Sequence, residues 1–297
     1  PAPTRTQPPP PHTPGPPQRR ARASPMLPPT ELQGGELLGQ HWYTPEGEPM
    51  HWVEGANGEM RDTNLRDARK LNLLPSVTGI LDIIAKPALL EWMKNQVLLA
   101  ALTTPRPEGI TDDEYIKLIK QSAKQEAEDA ATRGTAIHDA IEGVWLGKSP
   151  TGDELLDEIA EEAVRQIITY CQTDKFTPEK IVVGEGYAGK TDLSNDFYVL
   201  DYKGKDITDS QWEQYEAGKR IYPAVAYPDQ CQQLVAYDKA LPHSPYNRAL
   251  VNVFIDRQIP GRIIFHQWKP EEAQTAWEVF QNALKIWQLN RGYVPEQ

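Results

Sequence analysis

The chain has 297 residues, a formal net charge of −11 and a pI near 5.1. This acidity is the wrong sign for a protein that coats nucleic acid, so any DNA contact is expected in a local basic groove. Two cysteines are too few for a four-thiolate zinc or iron–sulfur site. The sequence shows no long apolar run and no signal-peptide pattern, which predicts a soluble, cytoplasmic protein with no membrane partner.

The first 29 residues hold 12 of the 27 prolines and almost no large apolar side chains. This composition cannot bury enough surface to offset chain entropy, so residues 1–29 are predicted to be a disordered tail. Three arginines near the end of the tail leave a basic DNA-binding arm as the alternative. Residues 30–297 are predicted to form one domain, with a helical lead-in over about 63–175 and a core over about 130–270.

Capping residues, apolar periodicity and turn residues predict the elements in chain order. Two short strands at 41–47 and 51–55 come first, followed by helices at 63–71, 77–85, 87–102, 111–146 and 152–173. Then come strands near 180–187, 190–194 and 197–203, helices at 209–219 and 228–241, strands at 248–256 and 261–266, and a helix at 270–291. The order predicts a mixed α/β or α+β fold with an N-terminal helical elaboration.

Asp201 and Lys203 end an apolar alternating run, so both side chains point to one face of a strand. A hairpin that turns at Asn195–Asp196 would place Asp192 opposite Val199 and diagonal to Asp201. That diagonal is roughly 7–8 Å, close enough for two carboxylates to share a metal ion. Two acids and a lysine on one face predict a centre that cleaves phosphodiesters.

Gly134, His138 and Glu142 are spaced four apart and therefore lie on one face of the long predicted helix. A glycine inside a helix costs about 1 kcal/mol relative to alanine, which predicts a close approach at Gly134. Beside the predicted acidic strand face, His138 is a candidate imidazole ligand for a metal. The alternative is a surface histidine that is bonded to Glu142.

Four motifs follow one another in an order that resembles the RecB-like branch of the PD-(D/E)xK nucleases, especially phage-type exonucleases. They are His138 with Glu142, Gly189-Lys190-Thr191-Asp192, Asp201-Tyr202-Lys203, and Gln233-Leu234-Val235-Ala236-Tyr237. The resemblance covers about residues 70–240. It implies a restriction-endonuclease-like core, which is a central mixed sheet flanked by helices. It also implies a divalent-metal-dependent exonuclease that hydrolyses linear DNA from an end, in phage or bacterial recombination or repair.

The resemblance also implies a role for each residue of the motifs. The catalytic residues would be Lys203, Asp201, Asp192 and Glu142. The metal ligands would be His138, Asp192, Asp201 and the main-chain carbonyl of Tyr202. Mg²⁺ is the expected ion, with Mn²⁺ as a substitute, and no iron–sulfur cluster is expected.

Further contacts are implied around this set. Glu185 is a candidate ligand, against the alternative of a solvent-exposed edge-strand glutamate. Gln233, Tyr237 and Arg133 are candidate DNA contacts, although Tyr237 could instead pack on the sheet. A single-strand annealing protein is a possible partner, and the cell would be a bacterial host if a phage encodes the chain.

Two other functions remain open on the same residues. A structure-specific endonuclease would use the same chemistry with a different DNA entrance. A non-catalytic scaffold protein would keep the fold, but it has no reason to retain Asp192, Asp201 and Lys203 together. The sequence predicts neither the polarity of cleavage nor the oligomeric state.

Overall fold

The computed structural model describes residues 41–296, apart from the side chains of residues 126, 127 and 130. The proline-rich tail predicted over residues 1–29 lies outside the described range. Of the helices in residues 41–296, none combines the length and the hydropathy that a membrane crossing requires.

The first part of the described chain is mainly helical and carries two small ladders. Its strands are β1 (Trp42–Tyr43), β2 (Trp52–Glu54), β3 (Met60–Asp62) and β4 (Leu74–Pro75). Its helices are α1 (Leu65–Leu71), α2 (Val77–Leu81), α3 (Pro87–Thr103), α4 (Asp112–Trp145) and α5 (Glu154–Cys171). Strand β1 pairs with β4 and β2 with β3, both antiparallel, so the two predicted N-terminal strands join different ladders.

The caps show why these helices begin where they do. Thr111 and Glu114 form a capping box at the start of α4, with each side chain bonded to the other residue's backbone N–H. Helix α1 is capped by Asn64, whose side chain accepts from the N–H groups of Arg66 and Asp67, so it begins two residues later than the predicted helix over 63–71.

The second part of the chain builds the main sheet. It consists of β5 (Thr177–Gly184), β6 (Tyr187–Ser194), β7 (Tyr198–Lys205), α6 (Asp209–Glu216), α7 (Pro228–Ala240), β8 (Ala249–Asp256), β9 (Ile263–Gln267) and α8 (Pro270–Arg291). The strand order is β5-β6-β7-β8-β9, and the β7–β8 pair is parallel while its neighbours are antiparallel. The prediction of a mixed sheet flanked by helices is confirmed.

Helices cover both faces of this sheet, and residues two apart on β7 share a face. Helices α4 and α5 pack on one face, where Leu200 and Tyr202 of β7 are buried. Helices α2, α7 and α8 pack on the other face, where Val199 is buried. Residues 199, 201, 203 and 205 therefore point toward α7, and residues 200, 202 and 204 toward α4.

Two turns differ from the sequence prediction. Gly184 lies opposite Tyr187, so the β5–β6 turn is Glu185–Gly186 and Glu185 is not in a strand. Ser194 lies opposite Val199, which places the β6–β7 turn one residue later than predicted and shifts the pairing by two residues. The predicted pairing of Asp192 with Val199 is therefore wrong.

Candidate active site

A buried ion pair occupies the face of β7 that points toward α7. The Nζ atom of Lys203 lies 2.9 Å from Oδ2 of Asp201, and the two residues are only 1% and 2% exposed. Removing two charges from water costs several kcal/mol per ion, so such a pair seldom exists for stability alone. The predicted Asp-x-Lys strand face is thus present, fully enclosed in the protein.

Strand β8, which pairs with β7 in parallel, holds the Asp201 carboxylate in place. Asn252 is the β8 residue paired with Asp201, and its Nδ2 donates to Asp201 Oδ2 at 2.8 Å. The Oδ1 atom of Asn252 accepts a hydrogen bond of 2.7 Å from Trp268 Nε1. Since Asn252 is completely buried, this chain fixes the orientation of the Asp201 carboxylate.

Helix α7 contacts the Lys203 ammonium through Gln233. Lys203 Nζ donates to Gln233 Oε1 at 3.4 Å, and Gln233 Nε2 donates to the hydroxyl of Tyr237 at 3.1 Å. Burial, and next the charge of Asp201, raise the pKa of Tyr237 well above its ordinary value, and Asp192 adds to this effect. Both residues are buried, at 9% and 4%, and they form a hydrogen-bonded chain to Lys203, while their role as DNA contacts stays a prediction.

Strands β6 and β7 stop pairing next to this network. Their ladder contains Leu193 with Leu200 and Ser194 with Val199. Beyond it, the Tyr202 N–H donates to Oδ2 of Asp192 at 2.6 Å. The side chain of Asp192 thus enters the place of a strand partner.

Helix α4 adds the predicted imidazole at this opening. Nδ1 of His138 lies 3.7 Å from Asp192 Oδ2, and the His138 ring packs edge-on against the ring of Tyr202 at 5.6 Å between centroids. The hydroxyl of Tyr202 accepts from Trp145 Nε1 at 3.1 Å, which fixes the ring on which His138 packs. The structure therefore brings His138, Asp192 and the Tyr202 main chain together.

Charged side chains surround the His138–Asp192 pair. Glu142 pairs with Lys148 at 3.0 Å, while Lys190 pairs with Glu179. Burial acts to lower the pKa of Lys190, but Glu179, Asp192 and Glu142 raise it and prevail. Glu142 thus lies at the rim of the site, where it bonds Lys148.

The structure excludes Glu185 from the site and shows what approaches Gly134. Glu185 is exposed in the β5–β6 turn, seven residues and about 23 Å of extended strand from Asp192, so it is not part of the site. At Gly134 the close approach is made by β7, since a Cβ built at Gly204 would stand 3.6 Å from the Gly134 Cα, whereas a Cβ built at Gly134 would meet nothing within 4 Å. Arg133, beside it, is exposed on α4.

The site contains carboxylates, a main-chain carbonyl and an imidazole. A hard divalent cation binds carboxylate and carbonyl oxygen and tolerates imidazole as a ligand. The arrangement, however, consists of two pairs, His138–Asp192 and Asp201–Lys203. Within residues 41–296, no three histidine, cysteine, aspartate or glutamate side chains are gathered as a metal-binding group. Cys171 and Cys231 are both unpaired and buried, and burial raises the pKa of each thiol to about 12.

Sequence reasoning missed Asn252, Trp268 and Glu179. Asn252 had a usable signal, because it is the only polar residue between Ala249 and Ile255 and therefore had to find a partner in the core. Glu179 had none: it pairs with Lys190 across the β5–β6 ladder, a contact that depends on the register of the two strands.

No protein-family model and no curated protein matches the chain. Among solved structures, an alkaline exonuclease from Laribacter hongkongensis matches with 14% identity over 73% of this chain and 91% of that chain, at a TM-score of 0.33. The complex of LHK-Exo with dAMP matches with 12% identity over 66% and 91% of the two chains, at a TM-score of 0.26. Both likenesses are too slight to show a common fold or a common activity.

Proposed function

We propose that the protein is a divalent-metal-dependent DNA exonuclease with a restriction-endonuclease-like core, which hydrolyses phosphodiester bonds from an end of linear DNA. The implied setting is recombination or repair in a phage or a bacterium. One observation supports this most: the buried Asp201–Lys203 pair lies beside the opening of β6 and β7, where Asp192 and His138 meet.

The energetics of the buried pair favour a functional reason for it. Well-packed apolar residues in place of a buried ion pair are often neutral or stabilising, so a core selected for stability has no need of it. Here the protein also spends two buried amides, from Asn252 and Gln233, on orienting the pair. Buried ionisable groups held in a fixed geometry are typical of catalytic sites.

The proposed ion would be Mg²⁺, with Mn²⁺ as a substitute, held by Asp192 and Asp201 with His138 and the Tyr202 carbonyl. When bound, it would supply Lewis-acid stabilisation of the reacting phosphate. Lys203 would hold a water by hydrogen bonding and offset the negative charge that develops on phosphorus. Gln233 would keep the Lys203 ammonium aligned, and Asn252 would keep Asp201 in place.

A cleavage assay with two lysine variants tests this proposal. Lys203→Ala should lower cleavage of end-labelled linear duplex in Mg²⁺ or Mn²⁺ by roughly 10²–10⁴-fold, because it removes charge stabilisation in the transition state. Lys205→Met is the matched control, since Lys205 is also buried on the same face of β7 but donates to the Val225 carbonyl. Lys205→Met should cleave like the wild type.

The choice of substrate separates the remaining alternatives. Cleavage of linear DNA alone supports an exonuclease, whereas cleavage of closed circles would identify an endonuclease. A folded wild-type protein that cleaves no linear duplex, single strand or circle would overturn the proposal and leave the scaffold function. Circular dichroism of Lys203→Ala, and of the longer Lys203→Met, distinguishes lost chemistry from lost folding.

A further inference from the structure

Where β7 and β8 finish, Arg257 lies beside the turn of α4 that carries Gly134 and its neighbour Arg133. Arg257 follows β8, and its side chain is only 7% exposed. Arg133 of α4 is close enough for its positive charge to act on the Arg257 guanidinium. Like charges repel, so such a pair is stable only where an anion or a carboxylate compensates it.

The described protein compensates Arg257 poorly. Its Nη2 donates to the Gly204 carbonyl at 2.7 Å, and its Nη1 lies 4.0 Å from Asp206, at the limit of an ion pair. The buried Nε has no hydrogen-bond partner among residues 41–296. The nearby Asp256 accepts from the backbone N–H groups of Ile207, Gln258 and Ile259, and its Oδ2 lies 3.9 Å from Arg262 Nη1.

Burial, the Arg133 charge and the two acids set the pKa of Arg257 together. Burial lowers it most, Asp206 and Asp256 raise it, and Arg133 lowers it again, with a net result below the ordinary value. An arginine stays protonated in spite of this, so burial and repulsion make the charged Arg257 side chain energetically unfavourable in the folded protein. A bound anion would remove that cost.

Two glycines leave room at the arginine pair. A Cβ at Gly204 would stand 3.4 Å from Arg257 Nε and 3.6 Å from the Cα of Gly134, so this glycine lets the guanidinium lie against the strand. A Cβ at Gly134 would meet nothing within 4 Å, so the α4 side is open. The helix glycine thus borders open space at this position.

The location relates the pair to the proposed chemistry. Gly134 is one helical turn, about 5.4 Å, before His138 on α4. Gly204 is two residues, about 7 Å, beyond Tyr202 on β7. The two glycines that flank Arg257 are thus close along α4 and β7 to the residues that carry the His138–Asp192 pair.

We infer that Arg133 and Arg257 form a phosphate subsite, which binds a DNA backbone phosphate adjacent to the one that is cleaved. This inference rests on the proposed function for the identity of its ligand. Arginine suits the role because its planar donors match phosphate oxygens in pairs.

DNA binding without a metal ion tests the subsite apart from cleavage. The probe is a short fluorescein-labelled duplex in EDTA, followed by anisotropy over a series of salt concentrations, with Arg133→Gln and Arg257→Gln. Each variant should weaken binding about three- to tenfold and reduce the salt slope by about one, as expected when one phosphate contact is lost. Arg165→Gln is the control, because Arg165 is exposed on α5 and pairs with Glu162.

Kinetics with Mg²⁺ add a second measurement. Both variants should raise KM more than they lower kcat, and the double variant should lose less than the product of the single losses, because one phosphate contacts both arginines. If Arg257→Gln does not fold, the exposed Arg133→Gln decides alone. A salt slope and an affinity equal to those of Arg165→Gln would overturn the subsite.

The two proposals fail in different ways. If the wild type binds DNA with a salt slope that depends on the two arginines but cleaves no DNA, the nuclease proposal fails and the phosphate subsite stands. If the wild type cleaves DNA but Arg133→Gln and Arg257→Gln have the DNA affinity and salt slope of Arg165→Gln, only the phosphate subsite is rejected.

Discussion

At the scale of single residues, β7 carries two buried lysines in contrasting environments. Lys203 faces a carboxylate, whereas Lys205 donates to the Val225 carbonyl and lies 4.8 Å and 4.9 Å from the ring centroids of Tyr227 and Phe254. Burial, and next the charge of Arg257, lower the pKa of Lys205 from 10.5 to about 7. The carboxylate therefore distinguishes the candidate catalytic lysine from its neighbour.

Lys205→Met should change the pH dependence of stability. The folded pKa lies below the unfolded one, so between about pH 7 and 10.5 the unfolded state binds the extra proton and wild-type stability rises with pH. Lys205→Met lacks this titrating group, so its free energy of unfolding should exceed that of the wild type most at pH 7 and below. The excess should shrink as the pH rises toward 10.5. Urea unfolding at pH 7 and pH 9.5 measures it. Exposed Lys239→Met is the control, and a pH-independent gain would contradict the assignment.

Asp192→Asn should weaken binding of Mn²⁺ about tenfold or more, which corresponds to ~1.4 kcal/mol. A neutral amide attracts a divalent cation much less than a carboxylate does, and it retains the size of the side chain. Isothermal calorimetry on the folded variant measures the affinity. Asp209→Asn serves as control, because Asp209 is 85% exposed and pairs with Arg262. Equal affinities of both variants would place Asp192 outside the metal site.

At the scale of elements, the motif glycine of β6 and the motif tyrosine of α7 form one contact. A Cβ at Gly189 would stand 2.5 Å from Cε1 of Tyr237, which is closer than real Cβ atoms come to a neighbour. Tyr237 in turn bonds Gln233, the partner of Lys203. The glycine thus sets how closely α7 approaches the sheet and where it presents its amide.

Gly189→Ala should cost about 1–3 kcal/mol of stability by overpacking and should also lower kcat, because Tyr237 and Gln233 must move away from Lys203. Thermal unfolding and the cleavage assay measure the two effects. Gly143→Ala in α4 is the matched control, since its Cβ would stand 3.9 Å from Lys148 Cβ, an ordinary contact. It should gain up to ~1 kcal/mol of helix stability. If Gly189→Ala had the same stability and kcat as the wild type, the Gly189–Tyr237 contact would not have this role.

The elements of the sheet could be predicted from the sequence better than their turns. Alternation and apolar runs define β7 and the position of Lys203 without any tertiary information. The β6–β7 register was missed because Asn195 does not occupy the centre of its turn. Its side chain accepts from the N–H groups of Phe197 and Tyr198, which moves the centre one residue on.

The partners of the site lie beyond what local patterns show. Asn252 and Gln233 reach β7 through the parallel β7–β8 pairing and the packing of α7, and both depend on the tertiary fold. Glu185 was misassigned because the break was sought at Gly189, whereas Gly186, with a φ of +79°, makes the turn. Spacing therefore identifies candidate chemistry, but not which residues support it.

At the scale of the whole molecule, the C-terminal segment fastens the last helix to the first. The hydroxyl of Tyr293 lies 3.0 Å and 2.9 Å from the carbonyl oxygens of Ala68 and Leu73, more than 200 residues away in sequence. The side chain of Asn72 also bonds both backbone groups of Glu296. These contacts join the helical lead-in to the helices that cover the sheet.

Tyr293→Phe should therefore lower the free energy of unfolding by about 1–2 kcal/mol, because the buried carbonyls lose their donor. Urea unfolding should show a lower midpoint with an unchanged m-value. Tyr246→Phe is the control, since Tyr246 is 53% exposed and should change stability little. Equal midpoints for the two variants would show that the C-terminal contact does not contribute to global stability.

The enclosure of Asp201 and Lys203 has a consequence for biosynthesis. Their amide partners are encoded 30 residues after the lysine and 51 residues after the aspartate, and the indole behind them comes later still. A nascent polypeptide that has just released β7 from the ribosome already contains both charged groups, but not yet the residues of α7 and β8 that hydrogen-bond them. The motif is thus translated well before the pocket around it can close.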